Sequence, residues 1–230
     1  MAEAPIKLFA TRSERYPKSS DSDIAYGIVK TLLSVYGPIS EILSLVITPP
    51  LLRRRDEWFK DLSDAVDEIA SKCTDFTPEK LANNDQFISA VIEASRIAVS
   101  THKIEKREML KNALVNIGTS CNIDEDVQFM SFRLIEDLTV THIKILEFFW
   151  RGNRRVAAAN GGNLPRFILP AEVFRLYLPE LHEKARLVNQ MIADLRTRGL
   201  CTAQEITSGF SQQVMTNPGI EFLSFVLAPE

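Results

Sequence analysis

Between residues 51 and 138, apolar side chains recur at the three- and four-residue intervals that line one face of an α-helix. Residues 51–73 carry Trp58, Leu62, Ala65, Val66 and Ile69 on one such stripe, with Asp61, Asp64, Asp67 and Glu68 among the solvated positions. Thr77-Pro78 reads as a helix cap followed by proline at the first helical position. Asn84 is placed to cap a helix over 85–100, whose stripe Phe87, Val91, Ala94 and Ala98 is widened by Ile88, Ile92 and Ile97. Leu110, Ala113, Leu114 and Ile117 face inward from a helix over 101–117, with Gly118 as a left-handed stop. Asn122 or Asp124 opens a helix to Leu138. Its stripe Val127, Met130, Leu134 and Leu138, spread by Phe129, Phe132 and Ile135, predicts a central helix buried on most sides.

Upstream, residues 23–47 read as two apolar helices broken at Gly37-Pro38 and stopped by Thr48-Pro49-Pro50, since proline cannot continue the helical ladder. Residues 1–22 lack the long apolar core of a signal peptide and are expected to form a mobile tail.

Past residue 138 the pattern changes. Thr139 can cap a helix over 140–150. A connection over 151–166 contains four arginines, Arg151, Arg154, Arg155 and Arg166, and no acid. A short helix over 171–178 precedes a long one over 180–198 with the stripe Leu181, Ala185, Val188, Ile192 and Leu195, closed by Gly199. Residues 200–202 and 213–216 can pair as a small β-hairpin, and Pro218 starts a last helix carrying Ile220, Phe222, Leu223, Phe225 and Val226. Helix, helix, helix, hairpin is the winged-helix order. The predicted fold is therefore mainly α: an N-terminal helical bundle over 23–138, then a winged-helix-like module over 139–230. Short connections and the absence of a flexible linker at 138 predict that the two parts share an interface.

Charge changes this picture little. Residues 1–138 hold 17 Lys/Arg against 22 Asp/Glu, and residues 139–230 hold 10 against 8. The split mildly favours an acidic partner for the C-terminal part. Three distant cysteines, Cys73, Cys121 and Cys201, make no disulfide framework and fit a reducing cytosol.

In the third helix of the module, His182, Arg186, Asn189, Ala193 and Arg196 share the face opposite the core. With Arg151, Arg154, Arg155 and Arg166 they form the candidate nucleic-acid surface, because Arg and Asn can bond base edges and Arg can pair with phosphate. Glu180, Glu183 and Asp194 flank that face and weaken it. The apolar stretch 24–52 runs straight into Arg53, Arg54 and Arg55, a pattern that can rest on anionic headgroups. Its proline breaks favour burial in the bundle instead. His102, His142 and His182 are scattered, with no second His or Cys at metal-ligand spacing. No catalytic residue, metal, cofactor or small-molecule substrate is legible, so the chain reads as a non-enzyme.

Three stretches resemble the bacterial abortive-infection alpha family, a helical group of poorly defined activity. They are 90–116 (AVIEASRIAVSTHKIEKREMLKNALVN), 132–149 (FRLIEDLTVTHIKILEFF), and Arg198-Gly199-Leu200 taken with residues 215–225. All are packing and turn residues. Asn217-Pro218, standing between Thr216 and Gly219, departs slightly from the family's closing pattern. The resemblance implies a bacterial cytoplasmic protein engaged in phage defence and carries over no active-site residue. The expected function is interaction or regulation through a protein partner or self-association. DNA binding through the module and membrane association through residues 24–55 stand as alternatives.

Overall fold

The computed structural model describes residues 49–74, 76–120, 123–152, 178–204 and 214–228. The expectations for residues 1–48, 153–177 and 205–213 fall outside these, including the apolar helices over 23–47, the short helix over 171–178 and the hairpin turn. The described elements are helices α1 (Pro49–Lys72), α2 (Pro78–Ala82), α3 (Asp85–Ser100), α4 (Ile104–Thr119), α5 (Glu125–Asp137), α6 (Val140–Glu147), α7 (Ala185–Thr197) and α8 (Asn217–Val226). A π turn, Phe148–Gly152, follows α6, and a 3-10 turn, Pro179–Lys184, precedes α7.

Caps set most boundaries. Thr77 accepts the Lys80 N–H at 3.2 Å and Asn84 accepts the Phe87 N–H at 3.1 Å. Asp124 accepts from Asp126 and Val127, and Thr216 from Gly219. Each side chain takes a donor that the first turn cannot satisfy internally. Gly199, at φ 75°, ends α7 in the left-handed region, as its position past the last stripe residue predicts.

α4 is the hub. It packs on α1, α3, α5 and α8, and it buries Met109, Leu110, Ala113, Leu114, Val115 and Ile117, which together leave little free surface around it. The stripe of α1 is buried as expected, and Trp58 Nε1 donates to Ser95 Oγ at 2.8 Å. One continuous core crosses residue 138: α8 lies on α4 and α6, and α7 lies on α6. Asn112 donates to the Val226 carbonyl at 3.1 Å and Asn116 to the Phe225 carbonyl at 2.8 Å. α4 thereby supplies donors to the end of α8, whose last carbonyls have no intrahelical partner.

Several expectations are corrected. α1 starts at Pro49, two residues before the apolar pattern indicated, because prolines at the first helical turn lack only N–H groups that would have no intrahelical acceptor. Gly118 lies within α4 at negative φ; its missing side chain admits Ile69, whose Cδ1 would stand 2.4 Å from a Cβ there. α4 starts at Ile104, three residues later than the apolar pattern indicated. The expected long helix over 180–198 is a 3-10 turn followed by α7, and Ala185 at their junction is exposed. Among the described residues, the two segments of the expected hairpin meet through a single antiparallel bridge, Cys201 with Met215, beside the Thr202 N–H to Val214 carbonyl bond at 2.8 Å. Most consequentially, α5 is not the central helix.

Candidate interaction surface

α5 buries one face and turns the other to solvent. The inner face carries Gln128, Ser131, Phe132 and Ile135. Phe132 meets Phe225 of α8 edge-to-face, with ring centroids 5.9 Å apart. Gln86 of α3 donates to Gln128 at 3.1 Å and to the Ile123 carbonyl at 2.7 Å, so the buried amides are satisfied.

The far end of α5 is held by charge. Arg96 of α3 pairs with Glu136 at 2.6 Å and with Glu93 at 2.8 Å, and Lys106 of α4 donates to the Glu136 carbonyl at 2.8 Å. The Arg96 hydrogen bonds hold the Glu136 carboxyl below its ordinary range. Burial pushes the Lys106 ammonium down. Arg198, past the end of α7, pairs with Asp137 at 3.0 Å and with Asp194 at 3.2 Å.

On the outer face, Phe129 is 56% exposed, Met130 63% and Val127 41%. Asp126 and Arg133 are exposed on the same face, and the Arg133 guanidinium lies 5.5 Å from the centre of the Phe129 ring. Scattered exposed apolar side chains are ordinary, but large neighbouring ones on a single face are the usual mark of a contact surface.

Of the residues singled out for nucleic acid, Arg151, Arg186, Asn189 and Arg196 lie among the described residues. Arg186 and Arg196 are exposed on α7, and Asn189 between them is half-buried. Arg151 is not an open arm: it is only 17% exposed, lies 4.6 Å over the Trp150 ring and stands 3.9 Å from Glu147. Arg154, Arg155, Arg166 and the side chain of His182 fall outside the described residues. Of the membrane candidates, Arg53 pairs with Glu57 at 3.5 Å, while Arg55 pairs with Asp56 at 3.4 Å and lies over Phe59 at 5.9 Å. Arg54 is half-buried. Among the described residues no helix is long and apolar enough to cross a membrane.

Asp61, read as a solvated residue, is instead a partner of Arg107. The Arg107 Nε donates to it at 2.9 Å and another nitrogen of the same guanidinium binds Glu57. Burial raises the Asp61 carboxyl, more than Arg107 lowers it.

His142 is buried in the first turn of α6. Its Nδ1 accepts the Thr139 N–H at 3.2 Å and lies 2.8 Å from the Thr139 hydroxyl, while Nε2 is 3.5 Å from Asp194. Hydroxyl, imidazole and carboxylate thus stand in a row, as in hydrolytic triads. Here the hydroxyl accepts the His142 N–H while the imidazole accepts the Thr139 N–H, a capping box around the first turn that gives both groups a structural role. Among the described residues no three His, Cys, Asp or Glu groups gather as a metal site requires. A cleft of about 410 Å³ is a shallow polar hollow where Lys103, Lys106, Thr139 and Lys144 meet.

No protein-family model, no curated protein and no solved structure matches this chain.

Proposed function

We propose that this protein works by binding other protein surfaces rather than by catalysis, and that the outward face of α5 is its contact surface. The observation that carries this is the exposure of Phe129 and Met130 side by side on a helix whose opposite face is well packed. Burying two such side chains offers about 1.5–3 kcal/mol each. The acidic start of α5, its cap Asp124 with Glu125 and Asp126 in the first turn, at one end and Arg133 at the other favour a partner helix with an apolar centre and oppositely charged ends.

The resemblance in sequence adds a setting to this proposal, a cytoplasmic bacterial protein of phage defence. A winged-helix-like module over 139–230 is part of this proposal. It is supported by the order α6, α7, bridged segments, α8, and by the glycine that ends α7. In this reading the module acts as a protein-docking element, because Arg151 is packed away and Asn189 is half-buried, leaving Arg186 and Arg196 as the described cations of the proposed DNA-reading face.

The test is crosslinking from a photoreactive side chain at position 127, compared with one at exposed Glu79 on α2. The expected result is a discrete adduct from position 127 that disappears when Phe129→Asp and Met130→Asp are combined, with none from position 79. Equal adducts from both positions, or persistence in the double variant, would overturn the proposal. A duplex-DNA titration at two salt concentrations covers the alternative: salt-sensitive binding lost in Arg186→Glu/Arg196→Glu would move the function to α7.

A further inference from the structure

Asp126, Phe129, Met130 and Arg133 occupy positions i, i+3, i+4 and i+7 of α5, so they form one strip along the helix. All four are exposed. The acid and the base stand at equal distances, in sequence, on either side of the Phe129-Met130 step. A strip of that kind is self-complementary under a two-fold axis. If a second α5 lies antiparallel across it, with the axis passing between residues 129 and 130, each Asp126 faces the other copy's Arg133, and the two apolar pairs meet at the centre. Two-fold interfaces have this property, with one patch serving both partners and residue i meeting j while j meets i.

We infer that the occupant of the α5 surface is a second copy of this chain, paired antiparallel through Asp126, Phe129, Met130 and Arg133. This rests on the proposal that the outward face of α5 is a docking surface. A helix of this length spans about 20 Å. Its two-turn strip covers less than the roughly 800 Å² per partner of a standard stable interface. The pairing is therefore a weak, concentration-dependent dimer, not an obligate one. Within one copy Arg133 lies over Phe129 and 3.8 Å from Glu136.

The experiment is sedimentation equilibrium of the full chain over a wide concentration range, for the wild type, Asp126→Arg, Arg133→Asp and the double swap. Each single substitution sets like charges against each other at both ends of the strip. It is expected to weaken the dimer at least about tenfold, about 1.4 kcal/mol. The double swap restores opposite charges and is expected to recover the wild-type mass curve. An equimolar mixture of the two single variants is expected to associate better than either alone, since one then carries two cations and the other two anions. Asp126 lies in the first turn of α5, so its loss also weakens favourable dipole interactions. The double variant shares that loss, so recovery in it excludes a merely structural effect. Single variants that associate like the wild type would overturn the inference. A wild type that stays monomeric at all concentrations, while position 127 still crosslinks to a different protein through Phe129 and Met130, would overturn the self-pairing and leave the docking surface standing.

Discussion

Gly118 and Gly219 both sit inside helices, and different neighbours exclude a side chain at each. A Cβ on Gly118 would meet the Cδ1 and Cγ1 of Ile69 at 2.4 and 2.9 Å, a buried side chain that must shift. One on Gly219 would meet the Leu200 carbonyl oxygen at 2.1 Å, and backbone cannot turn aside. Gly118→Ala is therefore expected to cost about 1 kcal/mol, because alanine's helix propensity returns about 1 kcal/mol against the roughly 1–3 kcal/mol of displacing Ile69. Gly219→Ala is expected to cost about 2–3 kcal/mol, as overpacking with a backbone shift does. Urea unfolding of the two variants measures both, and equal losses would contradict the distinction. Neither role was legible in the sequence. Gly118 looked like a helix stop because it follows the last stripe residue, and only the packing of α1 on α4 shows that it makes room for Ile69.

At the scale of elements, caps and stripes were readable. Thr77, Asn84, Thr139 and Gly199 end or start helices where their chemistry demands, and the stripes of α1, α3 and α8 are buried. Centrality was not readable. α4 and α5 both carry apolar residues well beyond one stripe, and nothing local says that α4 has four helical neighbours while α5 has solvent along Phe129 and Met130. The one available signal was that Asp126 and Arg133 flank those two residues at helical spacing, which suits an exposed strip better than a buried one. Arg186 and Arg196 were placed on an outward face by helical spacing and are exposed, whereas the arginines of the connection were read from residue type alone, which could not show that Arg151 packs on Trp150.

The start of α6 makes a pH prediction. Burial lowers the His142 imidazole from its ordinary 6.5, more than Asp194 raises it, so folding favours the neutral ring. The neutral ring also suits the cap, because Nδ1 must accept the Thr139 N–H. The folded pKa lies below the unfolded one. The stabilisation is therefore complete above about pH 6.5 and is lost as pH falls from there through the folded value. His142→Gln keeps a capping-box acceptor without a titrating group. Its melting temperature is expected to lack the component of acid sensitivity that the wild type shows below about pH 6.5. The same acid sensitivity in both proteins would assign it to other groups. Thr139→Ala removes the cap itself and is expected to cost about 1 kcal/mol in urea unfolding at pH 7.5.

For the whole molecule, the continuous core joins what the sequence divides at residue 138, and α8 depends on α4 for its terminal hydrogen bonds. Replacing Asn112 and Asn116 together by Ala leaves those α8 carbonyls without their protein donors. It is expected to cost about 1–3 kcal/mol and to increase hydrogen exchange in α8 before α1. Exchange rising equally in both helices would contradict that order. With α4, α8 and the inner face of α5 committed to the core, the outward face of α5 carries Val127, Phe129 and Met130, three of the six exposed large hydrophobics among the described residues. Its pairing with a second copy is most directly tested by the methyl resonances of Met130 and Met109 as the protein is concentrated. Met130 is exposed at the centre of the strip, and Met109 is buried in α4. The account predicts that the Met130 methyl shifts with concentration, that the Met109 methyl does not, and that the Asp126→Arg variant abolishes the shift. A Met130 resonance that stays fixed while the protein associates through other residues would contradict it.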